Sequence, residues 1–456
     1  MSDLLLGADL GTSGLKLVAL DEAGTTVAEA EAAYEPARPQ PGWAESDVGT
    51  WRTALEETFT AVAPALSGRR VRALGLSGQM HGAVLVDARG AALRPALLWP
   101  DGRAAGELAR WRTLGAADRA ALANPLVAGM TGPMLAWLVR SEPATLARAA
   151  AVLLPKDALR AALVPGSGPG ITDRSDASAT LLWDVSVDGW SPAAVAAAGI
   201  PPELLPEIRP AAEVVGTSRD VPVVVGGADT PLALLAAGSA AGLLVNVGTG
   251  VQVLRPGAPP RPVEDPVVHC YADVEDGWYA MAALQNGGSA WAWVRGVLGL
   301  SWGELFEAAA AVPPGAGGVA FRPFLAGERG GVAGPADRGG WTGLQPGTTR
   351  ADLARAAVEG VVFAVGAAVG LLEAPDDGGP VVLTGGGARS AVVQQLLADV
   401  LRRPVRHLRQ RSASAVGAAV LAGRGIGLDV RPQRDLGPLL EPRPGAGLDD
   451  ALERWR

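Results

Sequence analysis

The sequence predicts an α/β protein built as two lobes of one architecture. Three observations carry that expectation. The chain has 456 residues, about three times the ~150-residue prior for one domain, so two domains of roughly 200 residues fit better than one small module. Short apolar runs alternate with helical patterns in both halves, as in sheets covered by helices. A strand–glycine turn–strand unit near the N-terminus, turning at Gly11-Thr12-Ser13-Gly14, also returns mid-chain at Gly248-Thr249-Gly250.

Leu4 to Ala8 and Leu15 to Leu20 are apolar runs flanking the first glycine turn, and Asp21 to Gly24 turns into a third run, Thr25 to Ala33. This is a β-meander. Trp51 to Leu66 has a helical pattern, capped by Ser46 or Asp47. Val71–Ser77, Val84–Val86 and Val221–Val225 are strands. Thr230 to Leu254 carries no charge and is long enough to span a bilayer. Pro231 and Gly238, Gly242, Gly248 and Gly250 break it into helix, strand, turn and strand instead. In the second half, Asp352–Leu372, Val392–Leu401 and Ala415–Ala422 are helical, while Val381–Thr384 and Pro404–Leu408 are strands. Arg255 to Pro266 is a loop, and the tail from Pro432 is expected to wrap the surface.

Hydrophobic residues make up 48% of the chain and charged residues 19%, which leaves ample core material. Lys+Arg is 39 against Asp+Glu 47, a formal net charge of −8, so nucleic acid is not the expected partner. Cys270 is the sole cysteine, and His81, His269 and His407 are far apart, so neither a disulfide nor a Cys/His zinc site is expected. No basic segment precedes the first apolar run. The expected setting is cytoplasmic, with no membrane partner and a monomer or homodimer as the working unit.

Three glycine turns could hold phosphate through converging backbone N–H groups: Gly11–Gly14, Gly248–Gly250 and Gly385-Gly386-Gly387. None fits the Walker or dinucleotide pattern. The third leads into a helix whose N-terminus could face a nucleotide, with Ser390 as its cap. Asp9, at the end of the first strand, could hold Mg²⁺ beside polyphosphate or simply cap its turn. Asp229 lies at a strand-to-helix junction before Pro231. It or Thr230 should cap that helix, or Asp229 could serve as general base toward an alcohol. Ser77-Gly78-Gln79-Met80-His81-Gly82 follows another strand end, but Gln79 stands where a hydrolase elbow needs glycine.

Taken in order, these motifs resemble the FGGY family of carbohydrate kinases, most closely its xylulose-phosphorylating branch. The resemblance runs through Gly7–Lys16, Gly42–Asp47, Gly78–Gly82, Leu98-Trp99-Pro100-Asp101-Gly102-Arg103, Leu154–Asp157, Ser175–Ser178, Gly226–Asp229, Gly248–Gly250, Phe324–Arg329 and Gly385–Ser390. It implies two actin-like ATPase (ribonuclease H-like) domains, 1–238 carrying sugar and base and 239–456 carrying ATP, which close on a hinge. By position it makes Asp229 the base and places Asp9 and Asp229 at Mg²⁺. Gln79, Met80, His81, Trp99, Asp101, Asp229 and Thr230 would face the sugar. Gly11, Thr12, Ser13, Lys16, Gly248, Thr249, Gly250, Gly385, Gly386, Gly387 and Ser390 would face ATP.

The implied reaction is ATP-dependent phosphorylation of a sugar hydroxyl, most closely D-xylulose to D-xylulose 5-phosphate. A kinase for another ketose, polyol or aldonate is the alternative within the family. An actin- or chaperone-like ATPase without a small acceptor is the alternative outside it. Four positions depart from the family pattern: Pro100 and Thr230 each stand for Asn, Gly330-Gly331 for Thr-Pro, and Gly250 for a common Ser. Pro100 and Thr230 bear on sugar identity, since a lost hydrogen-bond partner weakens discrimination.

Overall fold

The computed structural model describes residues 3–165, 170–238, 242–329, 331–374, 378–445 and 447–456. Among them are two seven-stranded mixed sheets. The first begins as the predicted meander, β1 (Leu4–Leu10), β2 (Gly14–Asp21) and β3 (Thr26–Ala33), and continues with β4 (Val71–Gly78), β5 (Val214–Ser218), β6 (Val221–Val224) and the short β7 (Gly227–Ala228). Its order is β5–β6–β4–β1–β2–β3, with β7 also on β4. The apolar runs of β1 and β4 place them in the centre, where a strand is covered on both faces. Helix α1 (Val48–Leu66) covers one face; Asp47 caps it, its Oδ1 accepting from Gly49 N at 2.6 Å. Helix α2 (Pro155–Leu163) lies nearby, and α3 (Asp229–Ala237) follows β7.

The second sheet repeats the plan. Strands β8 (Leu243–Val247), β9 (Val251–Pro256), β10 (His269–Ala272), β11 (Trp278–Leu284), β12 (Val381–Thr384), β13 (Val405–Leu408) and β14 (Leu436–Leu440) run β10–β11–β9–β8–β12–β13–β14. Helices α4 (Gly288–Leu298), α5 (Trp302–Ala311), α6 (Arg350–Leu371) and α7 (Ala391–Leu401) belong to this lobe. Of all described helices, α6 alone has the length and hydropathy to cross a bilayer, and 72% of its apolar window is buried. It is the core helix of this lobe, packed around Val361, Phe363 and Val365.

Two features differ from the sequence reading. The tail does more than wrap the surface: β14 pairs antiparallel with β13, and the penultimate residue, Trp455, is buried. Gly437 and Pro438 inside β14 hide its strand pattern. The last long helix, α8 (Ala413–Gly425), packs on the first sheet although it belongs by sequence to the second lobe. The contact is backbone on backbone: a Cβ on Gly7 would stand 1.9 Å from the Ala415 carbonyl oxygen, and one on Gly75 2.0 Å from that of Ala418. The 238/239 division expected from the sequence touches residues 239–241, which lie outside the described residues.

Candidate active site

Strands β1, β4 and β7 end at one edge of the first sheet, where Asp9 pairs with Ser77 and Ser77 with Gly227. Two strand spacings, about 10 Å, separate the backbones of Asp9 and Gly227, with the segment bearing Asp229 just beyond. Ser77 Oγ donates to Asp9 Oδ1 at 2.8 Å. Asp229 does not cap α3, as the sequence suggested; Ala228 holds the cap position and Asp229 is the first helical residue. Its Oδ1 accepts from Thr230 N (2.6 Å) and Thr230 Oγ1 (3.2 Å), and Oδ2 has no partner among the described residues. Burial raises the Asp229 carboxyl from 3.8 to about 7, and the Asp9 charge adds to the rise. Burial also raises Asp9, against the hydrogen bond from Ser77 and the charge of Lys16. Each carboxylate is thus penalised by enclosure, which a cation between them would relieve. No group of three or more His, Cys, Asp or Glu suited to a metal occurs among the described residues.

Just beyond the end of β4 come Met80 and His81. His81 holds a left-handed φ of 67°, uncommon for a non-glycine residue and a mark of a constrained position. Its Nδ1 bonds the Ala179 carbonyl, and burial lowers its pKa to about 4. A neutral ring facing a carbonyl through Nδ1 must carry its proton there, which leaves Nε2 as an acceptor. Around it stand groups that no sequence motif marked: Tyr271 and His269 from β10, Tyr279 from β11, and Asn124. Tyr271 Oη lies 2.8 Å from His269 Nδ1, and Tyr279 Oη donates to Met80 Sδ at 3.6 Å. The positive charge of Arg329 bears on His81, His269 and Tyr271 alike. The second lobe therefore completes the pocket: Asn124 Nδ2 donates to Cys270 O at 2.9 Å, and Ser178 Oγ accepts from Ala272 N at 2.9 Å.

Three expected sugar residues stand differently. Gln79 and Trp99 both bond Thr12 of the first glycine turn, which donates to Gln79 Oε1 at 3.0 Å and accepts from Trp99 Nε1 at 2.8 Å. Asp101 is fully engaged: Ala44 N (2.6 Å), Arg103 N (2.9 Å) and the Arg103 guanidinium (2.8 and 2.9 Å) satisfy both oxygens. Arg103 in turn pairs with Glu45 and lies 3.5 Å over the Trp43 ring. Asp101 thus fastens the Trp43–Ser46 segment.

On the second lobe, β8 and β12 run parallel and end in the other two glycine turns. Gly248 N bonds Gly250 O at 2.9 Å, and Ser289 N bonds Thr249 O at 2.9 Å, tying the turn to the start of α4. Gly385 takes a φ of 90°, and Gly386 is open to solvent, with no neighbouring atom within 4 Å of where a Cβ would stand. These turns border a cavity of about 820 Å³ whose walls include Gly248, Thr249, Gly386, Gly387 and Ser390. Ser390 is the cap residue of α7 but makes no capping bond with its side chain. Trp302 and Phe306, one helical turn apart and stacked at an interplanar angle of 17°, offer flat apolar surface to the same cavity. Lys16 opens instead on an adjoining cavity of about 830 Å³ that shares Gly386 and Arg389 with the first.

Residues 4–239 match the N-terminal domain of the FGGY family of carbohydrate kinases, and residues 243–426 match its C-terminal domain. The chain belongs to the FGGY family. It is 33% identical to a xylulose kinase of Escherichia coli, over 97% of this chain and 93% of that protein. It is 34% identical to one of Streptomyces coelicolor, over 92% and 87%. The crystal structure of xylulose kinase from Rhodospirillum rubrum superposes with a TM-score of 0.90 at 29% identity, covering 99% of this chain and 97% of that one.

As an FGGY kinase the protein has the ATP-dependent sugar phosphotransferase fold expected of it. The geometry explains one of its departures from the family pattern: a Cβ on Gly250 would lie 2.4 Å from the Leu284 carbonyl oxygen, so this turn has no room for a serine. Thr230 donates its hydroxyl proton to Asp229, which leaves its oxygen able only to accept from an outside ligand. Gly330 lies outside the described residues.

Proposed function

We propose that this FGGY kinase transfers the γ-phosphate of ATP to the terminal hydroxyl of D-xylulose. The observation that carries the reading is the Oδ2 of Asp229, without a partner among the described residues, at the sheet edge it shares with Asp9. Asp229 accepts the hydroxyl proton as the sugar oxygen bonds to the γ-phosphorus; the bond from that phosphorus to the β–γ bridging oxygen breaks, and ADP leaves. The Gly11 and Gly248 amides close their own turns, which leaves the amides of Thr12 and Ser13 and of Thr249 and Gly250 to face the phosphates, where preorganised donors contribute most of the rate. Lys16 adds a positive charge. The 820 Å³ cavity takes the adenosine, with Trp302 and Phe306 beside the base and Gly386, Gly387 and Ser390 at its edge.

Mg²⁺ fits the two enclosed carboxylates: Asp9 and Asp229 would hold it, directly or through water, with phosphate oxygens supplying the remaining ligands. When bound it neutralises charge on the transferring group. The sugar is oriented by Met80, by His81 through Nε2 and by the Tyr271–His269 pair, while Asp101 acts at one remove by fixing the Trp43–Ser46 segment. One chain supplies every group needed, so a monomer or homodimer in the cytoplasm suffices.

The test is ADP release across a panel of ketoses, polyols and aldonates. The reading expects kcat/KM to be highest for D-xylulose. Activity on a different polyol with none on xylulose would move the substrate, and ATP hydrolysis indifferent to every sugar would replace the kinase reading altogether.

A further inference from the structure

Beneath the proposed base lies a buried ionic cluster that the reaction as described does not use. Lys156, fully buried at the start of α2, contacts three aspartates: Asp157 at 2.7 Å, Asp173 at 3.0 Å and Asp176 at 3.0 Å. Arg160, one turn further along the helix, joins Asp157 at 2.6 Å. Ion pairs this deep recover little net stability, because desolvation offsets most of the attraction. Their value here lies in what they hold.

Both ends of the segment that carries Asp229 are tied to this cluster. At one end Arg160 Nη1 donates to Val225 O at 2.9 Å. At the other, Ala228 N, adjacent to Asp229, donates to Ser175 Oγ at 2.9 Å, and that hydroxyl donates to Asp173 Oδ2, whose carboxylate is held by the charge of Lys156, 3.0 Å from Oδ1 and outside hydrogen-bond geometry. The same helix start also abuts the sugar loop: a Cβ on Gly78 would stand 2.8 Å from Lys156 Cβ, and one on Gly82 3.1 Å from the Pro155 ring. Residues 79–81 and 225–229 therefore rest on one rigid support. Since a misplacement of about 1 Å at a reacting group can cost ~10²-fold in rate, such a support bears directly on turnover.

We propose that Lys156 and Ser175 are positioning residues for phosphoryl transfer, aligning Asp229 with the sugar loop through the Lys156–Asp173–Ser175–Ala228 chain. The proposal rests on the reading of Asp229 as base. Ser175→Ala is the milder variant, since it removes one hydroxyl and leaves the charges in place; Lys156→Met removes the hub. The measurement is steady-state kinetics in ATP and sugar, with thermal unfolding and ATP-binding titration alongside.

The expected result for Ser175→Ala is a fall in kcat of about 10-fold or more, up to ~10²-fold, with KM for ATP and ATP affinity within twofold of the parent. Lys156→Met should lose at least as much kcat, and if it fails to fold, Ser175→Ala carries the test alone. Wild-type kcat in Ser175→Ala overturns the proposal, and so does a loss that appears equally in ATP affinity and thermal stability, which marks a merely structural role. An Asp229→Asn control separates the two readings: near-normal turnover in that variant overturns the base itself, whereas a dead Asp229→Asn beside a fully active Ser175→Ala overturns the positioning alone.

Discussion

At the scale of single residues, Asp229 carries the largest consequences. A carboxyl raised to about 7 in the folded chain, against 3.8 unfolded, is a proton acceptor near neutrality. The base must be ionised, so kcat/KM for the sugar should fall as pH is lowered and Asp229 takes up a proton, with the midpoint moving below 7 as Mg²⁺ beside the two carboxylates offsets the rise. Linkage runs the other way for stability. Between about pH 4 and 7 the folded state keeps a proton that the unfolded chain has released, so Asp229 makes folding less favourable as pH rises, and its full cost is present above pH 7. Asp229→Asn should therefore abolish transfer, spare ATP binding, and raise the melting temperature at pH 8 by about 1 °C per kcal/mol regained. A variant that melts no higher at pH 8 than the parent would contradict this electrostatic account. His81 behaves oppositely. With its pKa near 4 it stays neutral, so His81→Ala should raise the sugar KM about tenfold with no new pH dependence above pH 5. The sequence marked both residues. It also marked Asp101, whose neighbour Arg103 satisfies the carboxylate; a side-chain partner two positions away leaves no trace that separates it from a ligand-binding motif.

At the scale of elements, apolar runs and glycine punctuation made most strands legible: Leu4–Ala8, Val71–Ser77 and Val381–Thr384 needed little or no change at their ends. Boundaries moved where a cap decided them, as at Asp47 for α1 and Ala228 for α3. The pocket wall formed by β10 was illegible, because His269-Cys270-Tyr271 carries no motif and gains meaning only when Asn124 of the other lobe binds its backbone. The glycine turns were legible as turns, yet only the folded chain brings Gly250 against Leu284. Gly250→Ser, although it restores a residue common in the family, should destabilise this chain by about 1–3 kcal/mol and raise the KM for ATP. Thermal unfolding and ATP titration check it; a Gly250→Ser variant as stable as the parent would show that the turn yields freely.

At the scale of the whole molecule, the two lobes are fastened to each other at two main places. Helix α8 leaves the second lobe and seats on β1 and β4 of the first, and the β10 edge is hydrogen-bonded to Asn124 and Ser178. Sequence order could not reveal either crossing, since both join segments far apart in the chain through backbone contact rather than through a paired motif. Asn124→Ala, which takes the Asn124 donor from the buried Cys270 carbonyl while the Cys270 amide keeps Ala123 O at 3.2 Å, should cost about 1–3 kcal/mol of stability and raise the sugar KM while leaving the KM for ATP near its original value. An equal rise in both would mean that the Asn124 contact supports the two sites alike.

The most direct test follows γ-labelled ATP into product with D-xylulose as acceptor, comparing the parent chain with Asp229→Asn. The account predicts labelled xylulose phosphate from the parent and none above background from Asp229→Asn, although that variant still binds ATP. Label reaching the sugar at a comparable rate in both proteins would contradict it.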